Sequence, residues 1–173
     1  MLGNTKLWRE ALKAFTEMEA NGLRPTLYTF SFLMNACKND GGWKEALEVL
    51  EFMKGYNVPP DKFIYGALIS ACRNGGQWER AEKMFEDMRA TGIRADNFTC
   101  SALISAYGNG GQWEKAEKVF EDMLAVGIPA DNYTYNALIT AYGNGGQWEK
   151  AEKAMVARRP SWPRFNHTVN RNC

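Results

Sequence analysis

Apolar residues recur at helical spacing in short runs, and two kinds of run alternate along the chain. The clearest pair lies within residues 97–131. Phe98, Ala102, Leu103, Ala106 and Tyr107 share one side of a helix predicted from about Asn97 to Tyr107. Asp96 stands just before it as an N-cap, and Asp61 and Asp131 hold the equivalent places. Gly110-Gly111 closes the helix, because glycine takes left-handed geometry at a C-terminal cap without steric cost. A second helix then starts near Gln112 and presents Trp113, Ala116, Phe120 and Met123 as one stripe. Its polar side sets Glu114 one turn from Lys118, as Glu79 is set from Lys83 and Glu149 from Lys153, a spacing that suits ion pairs. Second helices end at Gly22, Gly92 and Gly127. Asn57 takes that place in the remaining unit, asparagine being the next most tolerant residue of positive φ.

The pattern has a fixed period. Trp8, Trp43, Trp78, Trp113 and Trp148 are spaced by 35 each time, and Gly108 to Lys118 returns letter for letter at Gly143 to Lys153. Such a period marks an array of small units, each burying one face against its neighbours. It predicts an all-α stack of helical hairpins. Residues 1–26 form a partial unit with only a second helix, around Lys6 to Asn21. Complete units occupy 27–61, 62–96 and 97–131, followed by an incomplete unit at 132–159 and an irregular basic tail at 160–173. In the last unit Arg158 stands where Met88 and Met123 stand in theirs, so the apolar stripe is broken. Pro160 and Pro163 then forbid a regular helix. Beginning and ending in mid-unit, the chain reads as a segment of a longer array or a gene model cut from one; a genuine short protein is the alternative.

Composition narrows the classes. With 45% hydrophobic and 24% charged residues the chain suits a folded protein. No apolar run approaches the ~18 residues of a membrane span. The net charge of +1 advertises no global attraction to polyanions, but it is unevenly spread. Residues 1–26 carry four bases and three acids, 27–131 eleven bases and fifteen acids, and 132–173 six bases and two acids. The first helices (27–38, 62–73, 97–107, 132–142) contain no Asp or Glu. The acids of the array sit on second helices, apart from Asp40 and the hinge aspartates. If first helices line the concave surface, a polyanion there meets no helical carboxylate, and meets Lys38, Lys62 and Arg73.

Cys37 and Cys72 occupy the position that later units fill with Tyr107 and Tyr142. A slot that accepts either residue is a packing slot rather than a metal or disulfide site. Cys100 and Cys173 complete the set, and no CxxC pair occurs. The one histidine, His167, lies in the tail, so no His-based triad or metal site is expected within the array. Neither the zinc-deaminase signature nor a phosphate-cradling GxxxxGK[ST] loop is present. No enzyme, no cofactor and no small-molecule substrate are expected.

The chain resembles the pentatricopeptide repeat family. The residues that carry the match are Asn132-Tyr133-Thr134-Tyr135-Asn136-Ala137-Leu138-Ile139, Ala116 to Met123, and Gly127-Ile128-Pro129-Ala130-Asp131, recurring together over about residues 6–157. The resemblance implies a right-handed superhelical solenoid of helix-turn-helix hairpins that binds single-stranded RNA, about one base per repeat. It implies that a residue near the start of the first helix and the last residue of the repeat read the base edge together. Those pairs are Ser31 with Asp61, Gly66 with Asp96, and Ser101 with Asp131; Asn136 would pair with Asn166. Tyr28, Phe63, Phe98 and Tyr133 stand where the family sandwiches bases, and an aromatic ring there could stack on them. The family acts mostly in mitochondria or plastids, in RNA processing, stability or translation. The opening Met1-Leu2-Gly3-Asn4-Thr5-Lys6 is too short before Trp8 to be a transit peptide.

Each of these residues also has a plainer reading: the aspartates as N-caps, the aromatics as packing between units. Gly66 has no side chain with which to read a base. A protein-interaction scaffold, whose groove holds a peptide or helix, is therefore the second reading.

Overall fold

The computed structural model describes residues 5–38 and 42–157. Every regular element among them is an α-helix. In chain order these are α1 (Thr5–Ala20), α2 (Leu27–Lys38), α3 (Trp43–Gly55), α4 (Lys62–Asn74), α5 (Trp78–Ala90), α6 (Asn97–Asn109), α7 (Trp113–Ala125), α8 (Asn132–Asn144) and α9 (Trp148–Ala157). The stripe-breaking Arg158, the tail 160–173 with Pro160, Pro163, Asn166, His167 and Cys173, the opening Met1 to Asn4, and Asp40 lie outside the described residues.

The first helices α2, α4, α6 and α8 lie side by side as one layer. The second helices α3, α5 and α7 sit behind, each packed on the first helix of its own unit and on that of the next, while α1 packs on α2 and α9 on α8. First helices thus sit close together while second helices stand further apart, which puts the first-helix layer on the inside of the curve. The same arrangement explains composition. In α4 every residue from Ile64 to Cys72 is buried, because the helix has a neighbour on each side and another behind. A helix that is apolar nearly all round is one enclosed on most sides. The second helix α5 buries only Ala81, Met84 and Met88, one stripe with a solvated remainder.

The turns follow from backbone chemistry. The three hinge aspartates are N-caps: Asp61 accepts from Ile64 N–H at 2.9 Å, Asp96 from Thr99 N–H at 2.9 Å and Asp131 from Thr134 N–H at 2.8 Å. Thr99 and Thr134 complete capping boxes by returning a bond to the aspartate's backbone N–H. At the other end, Gln112 N–H reaches Tyr107 O at 2.9 Å and Gly111 N–H reaches Gly108 O at 3.2 Å, a Schellman closure with Gly111 at φ +70°. Asn57 adopts φ 54°, as expected of the residue replacing glycine at the end of a second helix.

The paired glycines are needed for two different reasons. Gly111 supplies the left-handed backbone. Gly110 has ordinary φ (−87°), but a Cβ there would lie 2.3 Å from Trp78 of the preceding unit. Gly145 meets Trp113 in the same way at 2.2 Å. Trp78 and Trp113 are thus each seated on the turn of the following unit.

Around that seat a second set of contacts joins the units. Lys115 bonds Glu82 at 2.8 Å and sits over the Trp78 ring at 4.8 Å and the Tyr107 ring at 5.6 Å. One unit on, Lys150 bonds Glu117 at 2.6 Å and covers Trp113 at 4.5 Å, while Tyr142 O–H donates to Glu117 at 2.7 Å. Where Cys72 replaces the tyrosine, Leu47 replaces the glutamate, and Arg80 covers Trp43 at 4.2 Å. A buried tyrosine hydroxyl needs an acceptor and a cysteine does not, so the residues change together. Cys37 and Cys72 are buried free thiols, as a packing slot requires, and Cys100, at another position of the repeat, is buried and free as well. Burial pushes their thiols up, to about 12, 11 and 11, so none is a thiolate at neutral pH.

The expected one-turn pairs do not form. Glu114 and Lys118, Glu79 and Lys83, and Glu149 and Lys153 make no ion pair among the described residues; Lys115 and Lys150 instead reach across to the previous unit, and the one-turn pairs of this layer are Lys13 with Glu17 at 3.9 Å and Lys54 with Glu51 at 2.7 Å. Exposed one-turn pairs gain little over hydration, whereas the inter-unit pairs are half-buried against an aromatic face.

Candidate nucleic-acid interface

In α4 and α6, which have a first helix on each side, the accessible residues are gathered at the two ends, whereas α2 and α8 also expose Phe32, Asn35, Asn136 and Thr140 in mid-helix. The second residue of each unit is an aromatic that stays out of the core: Tyr28 is 75% exposed, Phe63 45%, Phe98 53% and Tyr133 48%. Together they form a ladder with a rung on each of α2, α4, α6 and α8. Phe98, counted by spacing with the apolar face of α6, belongs to this ladder instead. Its position two residues past the cap leaves it 53% exposed rather than in the core. The rungs are not isolated from the scaffold. The Phe98 ring lies against Gly66 so closely that a Cβ on Gly66 would sit 3.1 Å from it.

The hinge aspartates stand beside this ladder. Burial raises the Asp96 carboxyl, but the Thr99 N–H and Lys62 outweigh it and hold the group below its usual range. For Asp131 the Thr134 N–H is the main cause of a shift in the same direction. Both are carboxylates at neutral pH.

The other candidates are placed as follows. Ser31 is half-buried, its Oγ donating to Leu27 O at 2.8 Å. Ser101 is 1% exposed, its Oγ bonded to Asn97 Oδ1 at 2.9 Å and to Thr134 Oγ1 at 2.7 Å. Gly66 is buried beneath the Phe98 ring. Asn136, with no described unit beyond it, is exposed. Lys62 is joined to Asp96 at 3.1 Å. Lys38 ends α2, and its side chain lies outside the described residues.

Arg73 donates to the Tyr133 hydroxyl two units on, and to Asn74 Oδ1 at 3.1 and 3.0 Å. This contact crosses the inner face over α6 and borders an open cleft of about 380 Å³, lined by Arg73, Ser105, Asn109, Tyr133, Asn136 and Thr140 among others. One phosphate candidate and one stacking candidate are therefore brought together. The polar network linking Asn97, Ser101, Thr134 and Asp131 was missed from sequence. The signal for it was a polar residue at the first position of a unit, Lys62 or Asn97, where Leu27 stands in the unit before.

Among the described residues no group of three or more His, Cys, Asp or Glu side chains could hold a metal ion. None of their helices is long and apolar enough to cross a membrane.

Comparison with known proteins places this architecture. A model described as "PPR repeat family" matches residues 60–109 and 96–144, and one described as "Pentatricopeptide repeat domain" matches 3–40 and 13–77. The chain belongs to the pentatricopeptide repeat family. No curated protein sequence matches it. Among solved structures it is similar to the pentatricopeptide repeat protein PPR10 in complex with an 18-nt psaJ RNA element, at 22% identity and TM-score 0.73, covering 86% of this chain and 23% of that one. PPR10 from maize, in another crystal structure, aligns at 29% identity and TM-score 0.68 over 87% of this chain and 21% of that one. The PPR domain of Arabidopsis thaliana protein-only RNase P 1 in complex with tRNA aligns at 18% identity and TM-score 0.75, covering 93% of this chain and 87% of that domain. The chain thus spans under a quarter of the length of PPR10. The fold is the all-α solenoid of helical hairpins that the family shares.

Proposed function

We propose that this chain binds single-stranded RNA along the inner, first-helix layer. The observation that carries the reading is the ladder of exposed aromatics, Tyr28, Phe63, Phe98 and Tyr133, on helices that contain no carboxylate. An apolar ring held half in water at a regular interval is costly unless something covers it, and a nucleobase presents the matching flat surface. RNA complexes of similarly folded proteins support the choice of ligand. Ser31 with Asp61, Gly66 with Asp96, Ser101 with Asp131, and Asn136 are the candidate base-edge residues, and Arg73 and Lys38 the candidate phosphate contacts. The chain contributes binding rather than catalysis, and its setting would be the maturation or translation of organellar transcripts in a mitochondrion or plastid.

Three to four units engage about as many bases, so affinity is modest and is read at low ionic strength. The test is binding of the full chain to a randomised single-stranded RNA pool across a salt series. Affinity that falls with salt, and falls further when Phe63 and Phe98 are both replaced by alanine, is expected. No salt-dependent binding at low ionic strength would overturn the proposal. Capture of a peptide in the same groove, insensitive to Ser101 and Asp131 substitution, would favour the scaffold reading instead.

A further inference from the structure

The unit 62–96 poses a problem for RNA reading, because Gly66 offers no side chain and the Phe98 ring fills the space above it. Lys62 resolves it. The first residue of the unit reaches across to the last: Lys62 Nζ lies 3.1 Å from Asp96 Oδ2. The next unit repeats the arrangement with a different residue. Asn97 holds Ser101 at 2.9 Å and Thr134 at 2.7 Å, and Thr134 Oγ1 in turn lies 2.9 Å from Oδ1 of Asp131, the last residue of the unit. In the unit 27–61 the corresponding residue is Leu27, which has nothing to offer Asp61. Two successive units therefore place a polar first residue at the aspartate, and there the small residue at the recognised reading position is either absent as a side chain or buried.

We infer that Lys62 and Asp96 together form the base-reading pair of the unit 62–96, with Lys62 a specificity residue rather than a phosphate contact. The inference rests on the RNA-binding reading above. The inventory of bonding groups fixes what the pair can take. Asp96 Oδ1 accepts Thr99 N–H at 2.9 Å and faces the Thr99 hydroxyl at 3.0 Å, and Oδ2 accepts Lys62, which leaves an acceptor site on Oδ2. The ammonium gives one of its three protons to Asp96 and keeps two. The free edge thus shows one acceptor beside a cationic donor. That pattern complements a base with an imino N–H next to a carbonyl oxygen, which guanine and uracil have. Adenine and cytosine also set an amino N–H beside a ring-nitrogen acceptor, but next to that N–H they lack the carbonyl oxygen on which a cation is best placed, so they fit the pair less well. Both Lys62 and the Phe98 ring are exposed beside Asp96, so a base stacked on the ring brings its edge to the pair without displacing the cap.

The experiment takes the strongest RNA selected from the randomised pool and compares four versions differing at each base in turn, for the unmodified chain and for Lys62→Met and Lys62→Arg. At one position the unmodified chain should favour guanine or uracil over adenine by about fivefold or more, the lower end of a good bidentate base contact. Lys62→Met should flatten that preference and leave the salt slope unchanged, while Lys62→Arg keeps the preference. A uniform weakening for all four bases with the slope lowered by about one would make Lys62 a phosphate contact and overturn the inference. So would an unchanged profile. If the unmodified chain binds no RNA, the RNA reading itself fails, which the first measurement shows before any variant is made.

Discussion

At the scale of single residues, the Gly110-Gly111 pair shows how two identical letters can answer to different constraints. Gly111→Ala forces a side chain onto φ +70°, which costs about 1–2 kcal/mol wherever it occurs. Gly110→Ala instead drives a methyl group to 2.3 Å from the Trp78 indole, an overpacking cost of about 1–3 kcal/mol that depends on the indole being there. In urea unfolding, the Gly110→Ala penalty should shrink in a Trp78→Leu background while the Gly111→Ala penalty stays as it was. Equal penalties in both backgrounds would mean that the tryptophan does not set this glycine. The conserved-looking turn is legible in sequence as a turn. Its second role is not, because Trp78 and Gly110 are 32 positions apart in different units.

At the scale of elements, the helices themselves were legible nearly to the residue. Periodicity, capping aspartates and closing glycines are local signals, and every described helix lies where they put it. The contacts that join helices were legible only in part. Glu114 and Lys118 look like partners because one turn separates them, yet Lys115 is the residue that pairs, with Glu82 of the previous unit. Nothing local distinguishes the two lysines; the joint change of Tyr, Glu and Lys to Cys, Leu and Arg does. At the candidate site, the aromatic ladder and the aspartates were visible by position, but the burial of Ser101 and the reach of Lys62 depend on the neighbouring helix. The inter-unit carboxylates also predict acid behaviour. Burial raises Glu82 and Glu117, but Lys115 with Tyr107, and Lys150 with Tyr142, hold them below the usual range. A group whose folded value is depressed stabilises the fold fully above its unfolded value, about pH 4.3, and the contribution fades as pH falls through the folded value. The urea midpoint should therefore hold steady from neutral pH down to about 5 and then drop. In Lys115→Met/Lys150→Met the drop should be shallower, since the unpaired glutamates no longer titrate below their unfolded values. An equally steep drop in that variant would mean other carboxylates govern the acid limb.

At the scale of the whole molecule, the question is whether RNA would sense the protein's overall field or one face of it. The net charge of +1 gives almost no overall field, and the acids of residues 27–131 sit mostly on the outer helices. At physiological salt a charge is screened over about 8 Å, less than the thickness of one helix with its side chains. Outer carboxylates should then matter little to a polyanion in the groove, and inner cations should matter individually. Arg73 and Arg80 separate the two possibilities. Both are single positive charges on neighbouring helices of one unit, but Arg73 reaches across the inner face to Tyr133, while Arg80 lies over Trp43 in the outer junction. Arg73→Gln and Arg80→Gln change the net charge equally. If binding is local to the inner layer, Arg73→Gln lowers the slope of log affinity against log salt by about one, and Arg80→Gln leaves it unchanged. Equal effects would show that RNA responds only to total charge, and would remove the first-helix layer as its seat. The effect of Arg73→Gln should also be sequence-independent, in contrast to Lys62→Met, because a phosphate contact positions RNA without reading it.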